Sequence, residues 1–518
     1  MELSEEEDDT GKASKRLSIW EDRISLLPDS VLAHILSFLP TFDAIKTVQI
    51  RRFGNLWHTL RVFDFDECKF HDCRGNFDFE HDPRDQDKFL SIIYHILVEC
   101  KNLDKLRLRF HFSQSYSRNE VSADDDPKYE KQRCKEEIID DDLDILLHFA
   151  IRKNVEVLDL DFAGCSWVSN LECYILPDII WKGCYLTELR LSFCEIDSCE
   201  EVDLRSVKLM SLKEVAVNDE IMNTILQGCP LLETLCLEHC YNLQNLNCTN
   251  PRLEELIVRL EETDKILTIS APNLLGIQLF GDIDQVRLDN VSSVLESRLY
   301  FTSGFKFEQE KYVEFKSIFQ KLSNCKNFTA CTCCVSVLSM CKFTNVPCPS
   351  FNWESLTLDL DLSKWHLPGI YLLLRNSPCL ETFTMYMQPI HGWARDFEND
   401  AEKWLKAYDF DVENFLNSQE ETFDHLKIVM IYGHITEPYV IDIVKYLLKH
   451  ATVLEKMLIS DRKKDQDLLG FYRFLRLSKN GGDLSFNKKE CSTSELLEYS
   501  KKLLSFPRAS ANSVIYFN

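Results

Sequence analysis

One arrangement of hydrophobic and polar positions recurs along most of the 518-residue chain. An apolar residue is followed by a polar or turn pair and then by an apolar-x-apolar triplet. It reads "NLDKLRL" at 102–108, "NVEVLDL" at 154–160, "YLTELRL" at 185–191, "SLKEVAV" at 211–217, "LLETLCL" at 231–237, "RLEELIV" at 252–258 and "NLLGIQL" at 273–279. It returns as "WESLTLDL" at 353–360 and "CLETFTM" at 379–385. The alternating triplet predicts a short half-buried strand, because successive side chains point to opposite faces. Val215, Leu235, Leu256 and Ile277 follow one another at 20, 21 and 21 residues, a period of strand-bearing repeats stacked into a solenoid. Other steps are longer, such as 31 from Leu158 to Leu189, so the array is irregular. Helical patterns fall between strands, as in "DDLDILLHFAIRKN" (141–154) and "DEIMNTILQGCP" (219–230). Between Ile277 and Leu356 the pattern fades, which predicts degenerate repeats, with a helix over 311–327.

A different pattern stands near the N-terminus. In "LLPDSVLAHILSFLP" (26–40), eight of 15 residues are Leu, Ile, Val or Phe, bracketed by Pro28 and Pro40. Pro28 suits a first helical turn, Asp29 and Ser30 supply acceptors for its unpaired N–H groups, and Pro40 stops the helix. Val31, Ile35 and Phe38 form one stripe at helical spacing, and Leu32, Leu36 and Leu39 form a second beside it. Together they cover more of a three-turn helix than one amphipathic face requires, which predicts burial on two sides: the chain's own core and a partner. The following residues supply the core side with Ile45, Val48, Phe53, Leu56, Trp57 and Leu60, broken by Gly54 into two short helices. A plain helical cap shielding the first repeat is the alternative.

Cysteine and charge narrow the picture. Several of the 21 cysteines follow a strand by a few residues, as Cys165, Cys194 and Cys240 do. That is an inward turn position in a solenoid, so buried thiols are expected there. The densest group, "CTCCVSVLSMC" (331–341), lacks the paired C-x-x-C spacing of zinc sites, and its alternation predicts a buried strand. "CKFHDC" (68–73) has no second ligand pair at suitable distance, and no metal is expected. Net charge is −25, so neither nucleic acid nor an anionic membrane is an expected partner. No run approaches the ~20 apolar residues that span a bilayer. The leader, residues 1–19, is acidic and then basic, unlike a signal peptide, and predicts a disordered segment of an intracellular protein, cytoplasmic or nuclear. Residues 119–142 predict a charged solvated insertion.

Two stretches resemble known families. "DRISLLPDSVLAHILSFLPTFDAIKTVQIRRFGNLW" (22–57) resembles an F-box through Leu27-Pro28, Ile35-Leu36, Leu39-Pro40, Asp43-Ala44 and Leu56-Trp57. Phe53 stands where many plant members carry tryptophan. "HLKIVMIYGHITEPYVIDIVKYLLKHATVLEKMLI" (425–459) is similar to the FBD region of plant F-box proteins. The resemblance implies an α/β chain: a small three-helix F-box at 20–66, an irregular leucine-rich-repeat horseshoe at 100–417, an FBD-like α/β cap at 418–490 and a C-terminal tail at 491–518. It further implies docking to a Skp-type adaptor, and through it a cullin, by Leu27, Pro28, Val31, Ile35, Leu36, Leu39 and Pro40. The repeats would then hold a target protein.

No catalytic residues or cofactors are expected. The chain has no Gly-rich phosphate loop, G-x-S-x-G elbow or H-E-x-x-H helix. Two functions remain in view: the non-catalytic substrate-recognition subunit of a Skp–cullin–F-box ubiquitin ligase, and a leucine-rich-repeat scaffold unconnected with ubiquitin.

Overall fold

A computed structural model describes residues 24, 26–50, 53–54, 56–70, 83–110, 141–162, 174–260, 265–301, 309–343, 347–387, 411–461 and 493–517. Among these, fifteen strands form one entirely parallel sheet in chain order, from Val62–Asp66 at one edge to Val514–Phe517 at the other. Inward-pointing residues align in register through Phe63, Leu106, Leu158, Leu189, Met210, Leu235, Leu256 and Ile277, then Ser297, Phe328, Leu356, Phe383, Val429, Met457 and Ile515. Leu189, Leu191, Leu235 and Leu237 are all buried on these strands. Helices and two small parallel sheets lie on the connections, including Asp219–Gln227, Gln309–Lys321, Thr332–Phe343, Leu367–Arg375 and Pro438–His450. A parallel sheet needs such crossovers and must bury at least the face they cover. The result is the leucine-rich-repeat solenoid expected from the pattern.

Ser297 explains the faded pattern between Ile277 and Leu356. It occupies a leucine position in the ladder, fully buried, with its hydroxyl 3.5 Å from Cys325 Sγ. Two complete strands, Glu296–Phe301 and Asn327–Cys331, therefore run through that stretch.

The repeat at 211–217 is shifted from its expected register. Its strand is Leu209–Lys213, so Met210 and Leu212 are the inward residues. After it, Glu214 turns left-handed (φ 52°), as Phe193 and His239 do after the neighbouring strands (φ 58° and 52°). Val215 then occupies the slot that Cys194 and Cys240 fill in the flanking repeats. A buried valine in the turn position had completed a false V-x-V triplet. Cys194 is buried as expected, Cys240 is half-buried and donates to Leu212 O at 3.4 Å, and Cys165 lies outside the described residues.

Three further expectations are corrected. "CTCCVSVLSMC" is not a strand: only Cys331 ends one, and helix Thr332–Phe343 carries the rest. The C-terminal tail at 491–518 contributes helix Thr493–Leu504 and the final strand of the sheet. The sheet also begins inside the 20–66 unit, because Val62–Asp66 is its first strand, well before residue 100. The leader at 1–19, most of the 119–142 insertion, and His71 and Cys73 lie outside the described residues.

Candidate functional site

Helix Asp29–Leu36 and the turn after it carry the candidate docking face. Pro28 precedes this helix as its cap residue, no side chain caps it, and Asp29 places an acidic group in the first turn. Ser37 closes it by returning its N–H to Ala33 O and its hydroxyl to His34 O at 2.7 Å. Pro40 caps the next helix, Thr41–Lys46.

The first apolar stripe faces solvent, and of the second Leu32 and Leu36 face inward while Leu39, past the end of the helix, is exposed. Leu32 and Leu36 are 0% and 1% exposed, whereas Val31 and Ile35 are 40%, Leu39 41% and Phe38 75% exposed. Of the seven residues expected to meet an adaptor, Pro28, Val31, Ile35, Leu39 and Pro40 lie at the surface. Leu27 is half-buried against the core. Leu36 is a correction: its side chain faces the chain's own interior with Leu32, Ala44 and Trp57. Phe38, the most exposed member of the stripe, was absent from the expected set. Its position three residues after Ile35 was the available signal. It packs edge-on to His34, with ring centroids 4.8 Å apart.

Two contacts and one buried ring fix this face relative to the solenoid. Thr41 Oγ1 accepts the N–H of Asp64 at 2.7 Å, joining the second helix to the first strand. Phe42 lies 5.7 Å from the Phe65 ring, and Phe70 and Phe89 complete the aromatic cluster. Trp57, the closing residue of the motif, is buried. The F-box-like helices thus share one continuous core with the repeats.

A second candidate surface is formed by the outward residues of the strands. Near the N-terminal edge they make charge ladders across the sheet. Arg107 lies within 3.9 Å of Asp64 and 3.3 Å of Asp159. Arg109 sits between Asp66 (3.3 Å) and Asp161 (2.8 Å). Burial opposes the Arg109 charge, but Asp161 and Asp66 outweigh it and hold the guanidinium above its ordinary range. Asp159 is pushed up by burial in spite of Arg107 and Arg190. Further along, Glu238 pairs with Lys213 and Arg259, and Arg259 lies over the Phe280 ring at 4.7 Å. Then charge thins out: Thr329, Thr357 and Thr384 share one row on adjacent strands, the first two half-buried and Thr384 buried, and Tyr386 stacks on Tyr432 at 5.3 Å. Among the described residues, no group of three or more His, Cys, Asp or Glu is arranged to hold a metal ion. No helix among them is long and apolar enough to cross a membrane.

Comparison with known proteins agrees with this architecture. The family model described as "At1g61320/AtMIF1, LRR domain" matches residues 127–481, more than half of the chain. The chain belongs to this leucine-rich-repeat family. It is also similar to the putative F-box/LRR-repeat protein At3g18150 of Arabidopsis thaliana, 25% identical over 85% of this chain and 86% of that one. F-box/LRR-repeat protein At5g02910 of the same plant is 26% identical over 88% of this chain and 92% of its own length. The sequence motif, the solenoid and these relatives together make this a plant F-box/leucine-rich-repeat protein. The repeat model runs without a break through 425–459, the stretch similar to an FBD, where strand Ile428–Gly433, helix Pro438–His450 and strand Lys456–Ser460 form one more repeat.

Proposed function

We propose that the chain is the substrate-recognition subunit of a Skp–cullin–F-box ubiquitin ligase. It binds a Skp-type adaptor through the N-terminal helix and a target protein through the outward face of the repeats. It supplies recognition and leaves ubiquitin transfer to partner subunits, inside the cell. The observation that carries this reading is the split helix: Leu32 and Leu36 enter the chain's own core while Val31, Ile35, Phe38 and Leu39 stand in solvent beside them. Burying one such side chain contributes about 1.5–3 kcal/mol. Four of them on one short surface make a patch that association would cover.

The test replaces exposed residues only. Ile35→Asp together with Phe38→Asp would place two carboxylates in the interface, each costing several kcal/mol if buried without a partner. Adaptor binding by the purified protein is expected to fall by more than about a hundredfold, with an unchanged circular dichroism spectrum. Leu36→Asp is the contrasting variant: it charges the chain's own core and should lower the unfolding midpoint. Undiminished adaptor binding by the Ile35/Phe38 variant, or none by the wild type, would favour the scaffold reading.

A further inference from the structure

The two edges of the parallel sheet are finished differently. At the first edge, Val62–Asp66 carries Asp64 and Asp66, and the outward N–H of Asp64 is taken by Thr41 Oγ1 of the F-box-like unit at 2.7 Å. Charge and a covering element are the protections that keep an edge strand from pairing further. The last strand, Val514–Phe517, reads Val-Ile-Tyr-Phe, with no charge and no proline. It pairs with Lys456–Ser460, and among the described residues no strand pairs with its other side. The Val514 N–H donates to Glu455 O at 3.0 Å. Alternation along the strand therefore turns the N–H and C=O of Ile515 and Phe517 to the open side.

Large apolar side chains are exposed around this edge. Val514, Tyr516 and Phe517 are exposed on the strand itself, and Leu497 and Leu504 on helix Thr493–Leu504 before it. That helix packs against helix Pro438–His450 and buries Tyr499 and Leu503. The two exposed leucines, seven residues apart, share another side. Glu498, Lys501 and Lys502 stand exposed between them, so the surface offers both signs of charge to a copy of itself. The open backbone groups call for a strand, and an uncharged strand of β-branched and aromatic residues is a fit partner for its own copy. An antiparallel pair about a two-fold axis through Tyr516 sets Ile515 opposite Phe517 of the partner subunit. The outward N–H and C=O of both residues then all find partners.

We propose that the chain forms a two-fold symmetric homodimer through this edge, a second copy adding its own last strand antiparallel to Val514–Phe517. The axis stands perpendicular to the sheet. The outward faces of the two solenoids then run into each other, and the two terminal helices come side by side behind them, covering Leu497 and Leu504. Tyr516 meets Tyr516 of the partner subunit on the outward face, and the Ile515–Phe517 pairs lie on the other. The F-box-like units stand at the two far ends of the joined sheet. The dimer carries two sets of repeats, and a target with two matching segments is held more tightly than by either copy alone. The pairing itself is independent of the adaptor reading.

The experiment measures the mass of the purified full-length protein by sedimentation equilibrium up to about 100 μM, and a dimer is expected to predominate by about 10 μM. Phe517→Pro removes an outward N–H at a place where an edge strand tolerates proline. Tyr516→Lys sets two ammonium groups opposite each other across the axis. Each should raise the dimer dissociation constant at least about tenfold, with an unchanged circular dichroism spectrum. Mixing Tyr516→Lys with Tyr516→Glu should restore the dimer, because opposite charges then face each other. In the wild type, amide exchange at Ile515 and Phe517 should slow as concentration rises, while exchange in Val62–Asp66 stays the same. The proposal is overturned by a monomer over the whole range, by a dimer that both substitutions leave intact, or by a Lys/Glu mixture that stays monomeric. The wild-type mass and exchange decide the matter even where a variant folds poorly.

Discussion

His366 shows how much a single buried polar group decides in this solenoid. Its Nδ1 accepts the N–H of Ser363 at 3.0 Å, which assigns the proton to Nε2, 3.0 Å from Ser336 Oγ. Burial pushes its pKa down to about 4, since the neutral ring fits the site and the imidazolium does not. In the unfolded chain an ordinary histidine titrates near 6.5. The unfolded state therefore binds the extra proton between about 6.5 and 4, and stability falls as pH drops through that window. The full effect is on the order of 3 kcal/mol. His366→Asn keeps an acceptor for Ser363 without titrating. Its denaturation midpoint should lie below the wild type's at pH 7 but fall less between pH 7 and pH 4.5. Equal slopes would remove His366 as the cause. Gly433 is a second deciding residue. Its φ of 96° disfavours a side chain, and an added Cβ would come within 2.2 Å of Met387 O. Gly433→Ala should cost more than about 2 kcal/mol, read as a lower urea midpoint.

Helices Thr332–Phe343 and Leu367–Arg375 pass each other at Gly369, where an added Cβ would meet Val335 O at 2.2 Å. The Gly369 N–H donates to Ser339 Oγ at 2.8 Å across the same contact. Gly369→Ala should push the helices apart and cost about 1–3 kcal/mol, measured by chemical denaturation. An unchanged midpoint would show that the contact gives way freely. This close approach also shows why the sequence misleads at "CTCCVSVLSMC". Its apolar spacing suits strand and helix equally well, and the choice falls to packing against Gly369 and to Thr332 Oγ1, which accepts the N–H of Asp361 at 2.9 Å. Both partners are about 30 residues away. The clear repeats were legible because their leucines alternate against the same core in each turn. Ser297 hid one strand by replacing a leucine, and Val215 displaced another by filling a turn slot with an apolar side chain. At the N-terminal helix the two-sided burial was legible from its stripes. That Leu36 faces inward and Phe38 outward was not, because the stripes are equivalent until the helix is set against Trp57.

Among the described residues, each interior strand of the sheet pairs with the one before and the one after it, and the two end strands have one neighbour each. Stability in such an array is a sum of repeat and nearest-neighbour terms, so a defect should act locally. Leu256 tests this. It is fully buried between Leu235 and Ile277, and truncation to alanine should cost about 2–5 kcal/mol. Native-state hydrogen exchange of Leu256→Ala should speed up in Glu255–Arg259 and in its neighbours Thr234–Glu238 and Gly276–Gly281. Strand Ile428–Gly433, six positions further along the sheet, should keep its wild-type rates. In the wild type, the edge strands Val62–Asp66 and Val514–Phe517 should exchange faster than the interior ones, since each lacks a neighbour on one side. Val62–Asp66 has one compensation, the Asp64 N–H held by Thr41, and Thr41→Val should raise exchange at that amide more than elsewhere in the strand. If Leu256→Ala instead lowers protection equally over all fifteen strands, the solenoid unfolds as one unit and the nearest-neighbour description fails. Local loss would mean that the F-box-like end can dock while a distant repeat opens, because the coupling between them passes through the intervening repeats.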